Sequence, residues 1–353
     1  MTTSTPIRLA VPLSELTTLR LGGPARRLVC ADSVEAVVST VRAADADGDP
    51  LLVLGGGSNL VVADSGVPGT TVWVANIGRT IEPTGDGDVL FTVAAGENWD
   101  TVVEDSLADG LTGLECLSGI PGRAGAVPVQ NVGAYGVEIA ELLVDVDLYN
   151  RRAGVVRSHV PAADLGLGYR SSALKGRDDA VVLRIRLKLG ADPARLSGPI
   201  RYAELARTLG VQLGDRVPAA AVRETVLELR RSKGMVLDAT DHDTWSAGSF
   251  FTNPVLSELP EALRGRDMPS WPQPDDRVKL SAAWLISNAG FSRGHLGPGG
   301  RVALSSRHSL ALTNRGEGTT GDLLELAREV RDGVHAAFGV TLTPEPVLVG
   351  CAI

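Results

Sequence analysis

The chain has 353 residues, more than one hydrophobic core usually serves, so two or three compact units are expected. Apolar residues make up 44% and charged residues 22%, an ordinary globular mix, while the net charge of −8 argues against a nucleic-acid-binding face. No apolar run approaches the ~20 residues that span a bilayer, Met1–Ala10 lacks a signal-peptide core, and Cys30, Cys116 and Cys351 are too scattered for a disulfide frame or zinc site; a cytoplasmic protein without membrane or nucleic-acid partners is expected.

In chain order, Asp32-Ser33-Val34-Glu35 reads as a capping box opening a helix with apolar positions Val37, Val38, Val41 and Ala44. A short strand, Leu51–Leu54, ends in three glycines, and strands Asn59–Ala63 and Thr70–Val74 follow. Val89–Val93 is another strand, and a helix from Trp99 through Leu107 stops at Gly110. Leu142–Tyr149 and Ala180–Leu189 look like strands, with Arg184, Arg186 and Lys188 alternating on one face. A composition shift at Gly190–Pro199 is the candidate domain boundary. Beyond it, Ala219–Ser232 is a helix after Pro218, Gly248–Pro254 a compact turn and Ser281–Asn288 a short helix. Arg301–Leu312 holds strand-like runs interrupted by Ser305-Ser306-Arg307-His308. Leu323, Leu326, Ala327, Val330, Val334 and Phe338 mark one face of an amphipathic helix, and Thr341–Val349 returns as a strand. The order is α+β, with mixed or antiparallel sheet in both halves.

Two glycine-rich stretches stand out. Gly55-Gly56-Gly57-Ser58-Asn59-Leu60 fails the Rossmann fingerprint, because Leu60 replaces the third glycine and a strand replaces the helix. It fails the P-loop pattern as well. Its consecutive N–H groups can still cradle a pyrophosphate, although for this stretch alone a plain tight turn is the favoured reading. Ser118–Gly136 is long, almost uncharged and built of small residues, yet its Val, Ile and Tyr are too apolar for a disordered linker. A backbone lying along a flat ligand, with Gln130 and Asn131 supplying hydrogen bonds, explains it better.

Leu54–Leu60 together with Ile120–Gly136 resembles the FAD-binding domain of vanillyl-alcohol-oxidase (PCMH-type) flavoproteins. From Thr17-Thr18-Leu19-Arg20-Leu21-Gly22-Gly23 to Pro344-Glu345-Pro346 the chain is similar to the UDP-N-acetylenolpyruvoylglucosamine reductase family. The most specific motifs are Ile120–Gly136 and Ala247-Gly248-Ser249-Phe250-Phe251-Thr252-Asn253-Pro254. The resemblance implies a FAD-binding domain over residues 1–190, with subdomains of about 1–77 and 78–190. A substrate-binding domain over 191–353 follows, its last strand returning toward the FAD site. FAD contacts are implied at Leu54, Gly55, Gly56, Gly57, Ser58, Asn59 and Leu60 in the first stretch. In the second they are Gly119, Ile120, Pro121, Gly122, Gly125, Gln130, Asn131, Gly133, Ala134, Tyr135 and Gly136, with Arg230 and Gly248 beyond. Neither stretch contains the histidine that tethers FAD covalently in many oxidases, so non-covalent FAD is expected.

The implied reaction reduces UDP-N-acetylglucosamine enolpyruvate to UDP-N-acetylmuramate, with NADPH as hydride donor. Hydride added to the vinyl carbon leaves carbanion character beside a carboxylate, so the site needs a cation, an acid and a group orienting them. By resemblance Arg170, in Gly168-Tyr169-Arg170-Ser171-Ser172, binds the carboxylate; Ser249 is the proton donor; Glu345 is the third catalytic residue. Tyr169, Tyr202, Lys233, Asn253, Lys279 and Asn288 are the implied substrate contacts, Tyr202 marking the subtype with a tyrosine loop. Some relatives carry Gln near Asn288, and Thr252 replaces a Lys found in others. A flavin-dependent oxidase and a non-catalytic nucleotide-sugar-binding protein are the alternatives. Asp241-His242-Asp243 is read as a bystander rather than a metal site. His295 and His308 lack a carboxylate pattern, and His335 is read as solvated. A monomer is expected.

Overall fold

Ser33 opens the first helix: its hydroxyl accepts the Ala36 N–H at 3.1 Å, capping α1 (Val34–Ala46). The cap thus lies one residue beyond the expected Asp32, which leaves no Glu at the third helical position. The structure is a computed structural model that describes residues 6–191, 193–273 and 275–353. It divides into two compact units, each assembled from separate stretches of chain. Unit 1 comprises residues 6–11, 25–56 and 68–232; unit 2 comprises 12–24, 57–67 and 233–353.

Unit 1 carries a four-stranded sheet in the order Ile7–Pro12, Pro24–Ala31, Val67–Val74, Leu51–Leu54, the last two parallel. Its second sheet is antiparallel, in the order Val155–Pro161, Leu143–Asn150, Ala180–Gly190, Asp88–Ala94, Arg79–Pro83. The alternation along Ala180–Gly190 buries Val181, Leu183, Ile185, Leu187 and Leu189, as a period of two requires. Arg184 and Lys188 are exposed, but Arg186 is buried and bonds Asp145 and Asp147 on the neighbouring strand. The three bases keep the shared face that a period of two gives them, Arg184 and Arg186 both reaching Asp147, and only Arg186 is buried there between the paired carboxylates. Helix α2 (Trp99–Ala108) is capped by Asn98, and Trp99 is fully buried with its indole N–H on the Leu117 carbonyl.

Two more helices close this unit, α3 (Ala203–Leu209) and α4 (Ala219–Ser232). They bury Leu205, Ala206, Val222 and Val226 with Cys116 and Ile200. For that reason the break between units falls after Ser232 rather than at 190. Residues 193–199 belong to unit 1, where Ser197 is buried and its N–H bonds the Val217 carbonyl at 2.8 Å. Cys116 is buried, which pushes its thiol up to about 12 and keeps it protonated.

Unit 2 is built on α6 (Thr320–Phe338), with α5 (Ala282–Asn288) beside it in sequence order. Thr319 and Asp322 form the reciprocal box at the start of α6, and Gly339 ends it in the left-handed conformation. All six apolar positions read from the sequence are buried, the five larger than alanine each worth roughly 1.5–3 kcal/mol. One three-stranded sheet has the order Ser246–Ser249, Ala311–Asn314, Val302–Leu304; another has Val255–Leu256, Val278–Leu280, Ser270–Pro272. The stretch Gly248–Pro254, read as a compact turn from its glycine and proline, therefore begins inside a strand that ends at Ser249. Val347–Val349 pairs in parallel with Leu60–Val62. The α+β expectation holds. Among the described residues no helix is long and apolar enough to cross a membrane.

Candidate active site

In unit 1 the two glycine-rich stretches meet backbone to backbone. A Cβ on Gly56 would lie 2.6 Å from Gly122 Cα, so Gly56 has no room for a side chain. Gly125 is held as closely, 2.6 Å from the Ala95 Cβ by the same measure. Trp73 braces the contact: its indole donates to the Gly55 carbonyl at 3.1 Å while the Arg123 guanidinium lies 5.1 Å over its ring. Asp100, capped in turn by Arg223, accepts the Gly119 N–H at 2.6 Å. Among the described residues, the half-buried N–H groups of Gly55, Gly56, Ile120, Gly122 and Arg123 have no protein acceptor. Each such donor costs about 1–3 kcal/mol if left unpaired. Their grouping on turns without side chains suits phosphate or flavin oxygens, so these residues fit FAD.

Beyond them, Gly133–Ala134 and Val137–Glu138 form a tight hairpin whose tip, Tyr135–Gly136, has both φ angles positive. Tyr135 meets Tyr202 edge-on at 5.5 Å, and burial pushes its phenol up to about 12. Asn131 does not present its amide to a ligand. It is 1% exposed, donates to Glu138 at 2.8 Å and to the Gly168 carbonyl at 3.1 Å, and accepts from Ala140 at 3.1 Å. The expected ligand hydrogen bond from this side chain is replaced by internal ones; it ties the glycine stretch to the loop that carries Arg170.

That loop is a two-residue hairpin, Tyr169–Arg170, closed by reciprocal bonds between Gly168 and Ser171 at 3.0 and 3.1 Å. Arg170 has φ 50°, a left-handed conformation that costs a non-glycine residue about 1–3 kcal/mol. Four contacts hold it: Asn131 on Gly168, Ser172 on the Val129 carbonyl at 2.7 Å, Lys175 on the Arg170 carbonyl at 3.0 Å, and the Arg170 guanidinium on the Gly133 carbonyl at 3.1 Å. Arg230 is 6% exposed beside Gly119, and burial, with the Arg170 charge behind it, pushes its guanidinium down. Unit 1 also has a cavity of about 690 Å³ lined by Asp32, Glu35, Asn76, Arg79, Arg184 and Arg186 among others; it contains none of the expected site residues.

In unit 2, Gly57 lies against the Leu16–Thr18 turn, its carbonyl accepting the Thr18 N–H at 3.2 Å. Ser249 pairs with Ala311 at the end of its strand. Its hydroxyl is 3.2 Å from His308 Nε2. The next residue accepts, through the Phe250 carbonyl, the Glu345 N–H at 2.8 Å, and Phe251 bridges Pro344. The Glu345 carbonyl accepts from the Asn59 amide at 3.4 Å. The Glu345 backbone is thereby tied to Phe250, next to Ser249, through its N–H and to the Asn59 side chain through its carbonyl.

His308 was legible only as a histidine among serines. No spacing in the sequence announces a partner 59 positions upstream. Asp243 likewise has a use: its buried carboxylate accepts from Ser305, Ser306, Arg307 and Arg315. His295 has a carboxylate partner after all, Glu329 at 3.0 Å.

The expected substrate contacts are spread over both units. Tyr169 and Tyr202 are exposed in unit 1. In unit 2, Lys279 lies 5.6 Å over the exposed Trp271 ring, and Asn253 accepts the Ala282 N–H at 2.9 Å. Asn288 is exposed and donates to the Trp284 carbonyl within α5. Lys233 is half-buried.

Two family profiles match the chain: UDP-N-acetylenolpyruvoylglucosamine reductase, C-terminal domain, over residues 239–349, and FAD binding domain over residues 25–158. The UDP-N-acetylenolpyruvoylglucosamine reductase of Saccharopolyspora erythraea is 61% identical over 351 residues, covering 97% of this chain and 95% of its own. That of Salinispora arenicola is 54% identical over 348 residues, with 97% and 95% covered. Among solved structures, UDP-N-acetylenolpyruvylglucosamine reductase (MurB) from Thermus caldophilus superposes with a TM-score of 0.66 at 26% identity, covering 98% of this chain and 99% of that one.

Proposed function

From the premise that the chain belongs to the UDP-N-acetylenolpyruvoylglucosamine reductase family, a family of FAD-dependent oxidoreductases in peptidoglycan precursor synthesis, we propose how its residues divide the reaction. The substrate is UDP-N-acetylglucosamine enolpyruvate, the hydride donor NADPH, and the product UDP-N-acetylmuramate. Bound non-covalently, FAD would supply hydride transfer between NADPH and the terminal vinyl carbon. The N–H groups of Gly55, Gly56, Ile120, Gly122 and Arg123 would hold it, on a scaffold that Gly119, Gly125 and Tyr135–Gly136 shape.

Arg170 binds the substrate carboxylate, and its charge stabilises the enolate-like carbon left after hydride addition. Its strained, four-point hold keeps the guanidinium from relaxing away, so little is reorganised as charge develops. Ser249 gives its hydroxyl proton to that carbon. An isolated hydroxyl is a weak acid, but an Nε2–H of His308 donating to Ser249 Oγ stabilises the alkoxide and leaves the serine proton free for transfer. Glu345 orients the acid side of the site from the segment bonded to Phe250. The observation that carries this reading is the Ser249–His308 contact, which gives an otherwise ordinary hydroxyl a titratable neighbour. Tyr169, Tyr202, Lys233, Asn253, Lys279 and Asn288 contact the nucleotide sugar. The protein acts as a monomer in the cytoplasm.

The purified protein should be yellow, bleach with NADPH in the absence of oxygen, and regain its colour on adding UDP-N-acetylglucosamine enolpyruvate. Recovery by oxygen alone would favour an oxidase, and protein that takes up no FAD would sink the reading. A finer expectation concerns Gly55, where a Cβ would meet only other Cβ atoms, at 3.8 Å. Gly55→Ala should fold normally but bind FAD roughly 10–100-fold more weakly, since a methyl beside the free N–H obstructs about 1.5–3 kcal/mol of charge-assisted bonding. Titration of apoprotein with FAD by flavin fluorescence checks this; unchanged affinity would remove Gly55 from the cofactor site.

A further inference from the structure

The Asp243 carboxylate is 5% exposed and is saturated with donors. One oxygen accepts the Ser306 N–H at 3.0 Å and the Arg315 guanidinium at 3.0 Å. The other accepts the Ser305 hydroxyl at 2.9 Å, the Ser306 hydroxyl at 3.1 Å and Arg307 Nε at 3.1 Å. Burial pushes this carboxyl up, but the Ser306 N–H, the Arg307 guanidinium and the two serine hydroxyls more than offset it, so it stays below the usual carboxylate value.

Ser305 is the informative partner. Its side chain, in a residue 1% exposed, has a single proton, and Asp243 takes it. The lone pairs are then the only hydrogen-bonding capacity left, and they accept the Arg307 and His308 backbone N–H groups, both at 3.1 Å. The His308 carbonyl in turn accepts the Ala311 N–H at 3.1 Å. His308 is therefore pinned at both backbone groups, and its ring reaches Ser249 Oγ at 3.2 Å. Arg307 is anchored separately on Asp241, so the loop cannot slide along its own axis.

We propose that Asp243, acting through the Ser305 hydroxyl, is a positioning residue for the protonation half of the reaction: it fixes the backbone of His308 so that the imidazole meets Ser249. The proposal rests on Ser249 being the proton donor. Among the described residues no hydrogen bond joins Asp243 to Ser249, and the route that can be cut without touching the carboxylate runs through the Ser305 hydroxyl to the His308 peptide N–H.

Ser305→Ala removes that relay while keeping the carboxylate and both arginines. Stopped-flow measurement should show reduction by NADPH at the unaltered rate and reoxidation by the enolpyruvyl substrate slowed roughly tenfold, the scale of a small misplacement of an acid. In ¹⁵N spectra of the imidazoles, the His308 signals should move in the same variant. Reoxidation unchanged in Ser305→Ala but lost in Ser249→Ala overturns the positioning role and leaves the donor reading intact. Reoxidation surviving in Ser249→Ala overturns the donor reading and this proposal with it. If Ser305→Ala does not fold, the unaltered protein still decides: a His308 ring held in one tautomer supports the proposal, and one exchanging freely between both overturns it.

Discussion

Ser249→Ala should keep the reduction step driven by NADPH and lose the second half-reaction by about 10²–10⁴-fold, the contribution of a placed general acid. The hydroxyl is the only group that changes, and among the described residues its hydrogen-bond partner is His308. Its strand is held by pairing to Ala311 and by the Phe250 N–H on the Leu310 carbonyl at 2.7 Å, neither of which uses the side chain. The variant should therefore fold and take up FAD as before. Stopped-flow traces separate the steps: bleaching by NADPH proceeds, and recovery with the enolpyruvyl substrate stalls. Full survival of both would mean that the proton comes from elsewhere.

Gly57→Ala should be the most damaging single methyl in the glycine-rich loops. The residue has φ +61°, and its Cβ would fall 2.0 Å from the Leu16 carbonyl oxygen and 2.9 Å from Thr17 Cα. Both obstacles are backbone, and the Thr18 N–H on the Gly57 carbonyl holds them in place. Left-handed strain of about 1–2 kcal/mol adds to overpacking of about 1–3 kcal/mol, a total of several kcal/mol. A fall in melting temperature on the order of 10 °C follows, or failure to accumulate as folded protein. Gly48 is the control: its φ is +63° but nothing lies within 4 Å of a Cβ there, so only the strain should be felt. Equal stability of the two variants, by thermal unfolding, would show that the Leu16–Thr18 turn yields.

The predicted elements came through best where one period ran long enough to be read. The helix at Thr320–Phe338 buries all six positions that its spacing picks out, because 19 residues repeat the pattern. The short strands around the first glycine loop were also legible, bounded by glycines and rich in valine and leucine. The strand character of Ser246–Ser249 was not, since Ser-Ala-Gly-Ser has neither β-branched nor aromatic residues and depends on pairing with Ala311–Asn314. Asp243 and His308 went unread for the same reason: their partners are assembled by strand pairing, which leaves no local spacing. The polarity of Asn131 points to a ligand, but its amide is satisfied internally by the Glu138 carboxylate, the Gly168 carbonyl and the Ala140 N–H, none of which a local spacing reveals. The late unit border reflects α3 and α4, whose burial against Cys116 no composition shift reveals.

The pairing of Leu60–Val62 with Val347–Val349 has a consequence for how the polypeptide is made. Asn59 and Glu345, bonded at the edge of that pair, are 286 residues apart. At ribosomal speeds of about 5–20 residues per second, the earlier strand waits on the order of tens of seconds for its mate. Throughout that interval Leu60–Val62 is an unpaired apolar edge, open to other nascent chains. Unit 1 can collect its sheets and helices once residue 232 has emerged, but unit 2 has no complete set of parts until Val349 has been made. Slowing synthesis between residues 233 and 349, or removing Val347–Val349, should then raise the fraction of chains captured by chaperones, as measured by co-purification.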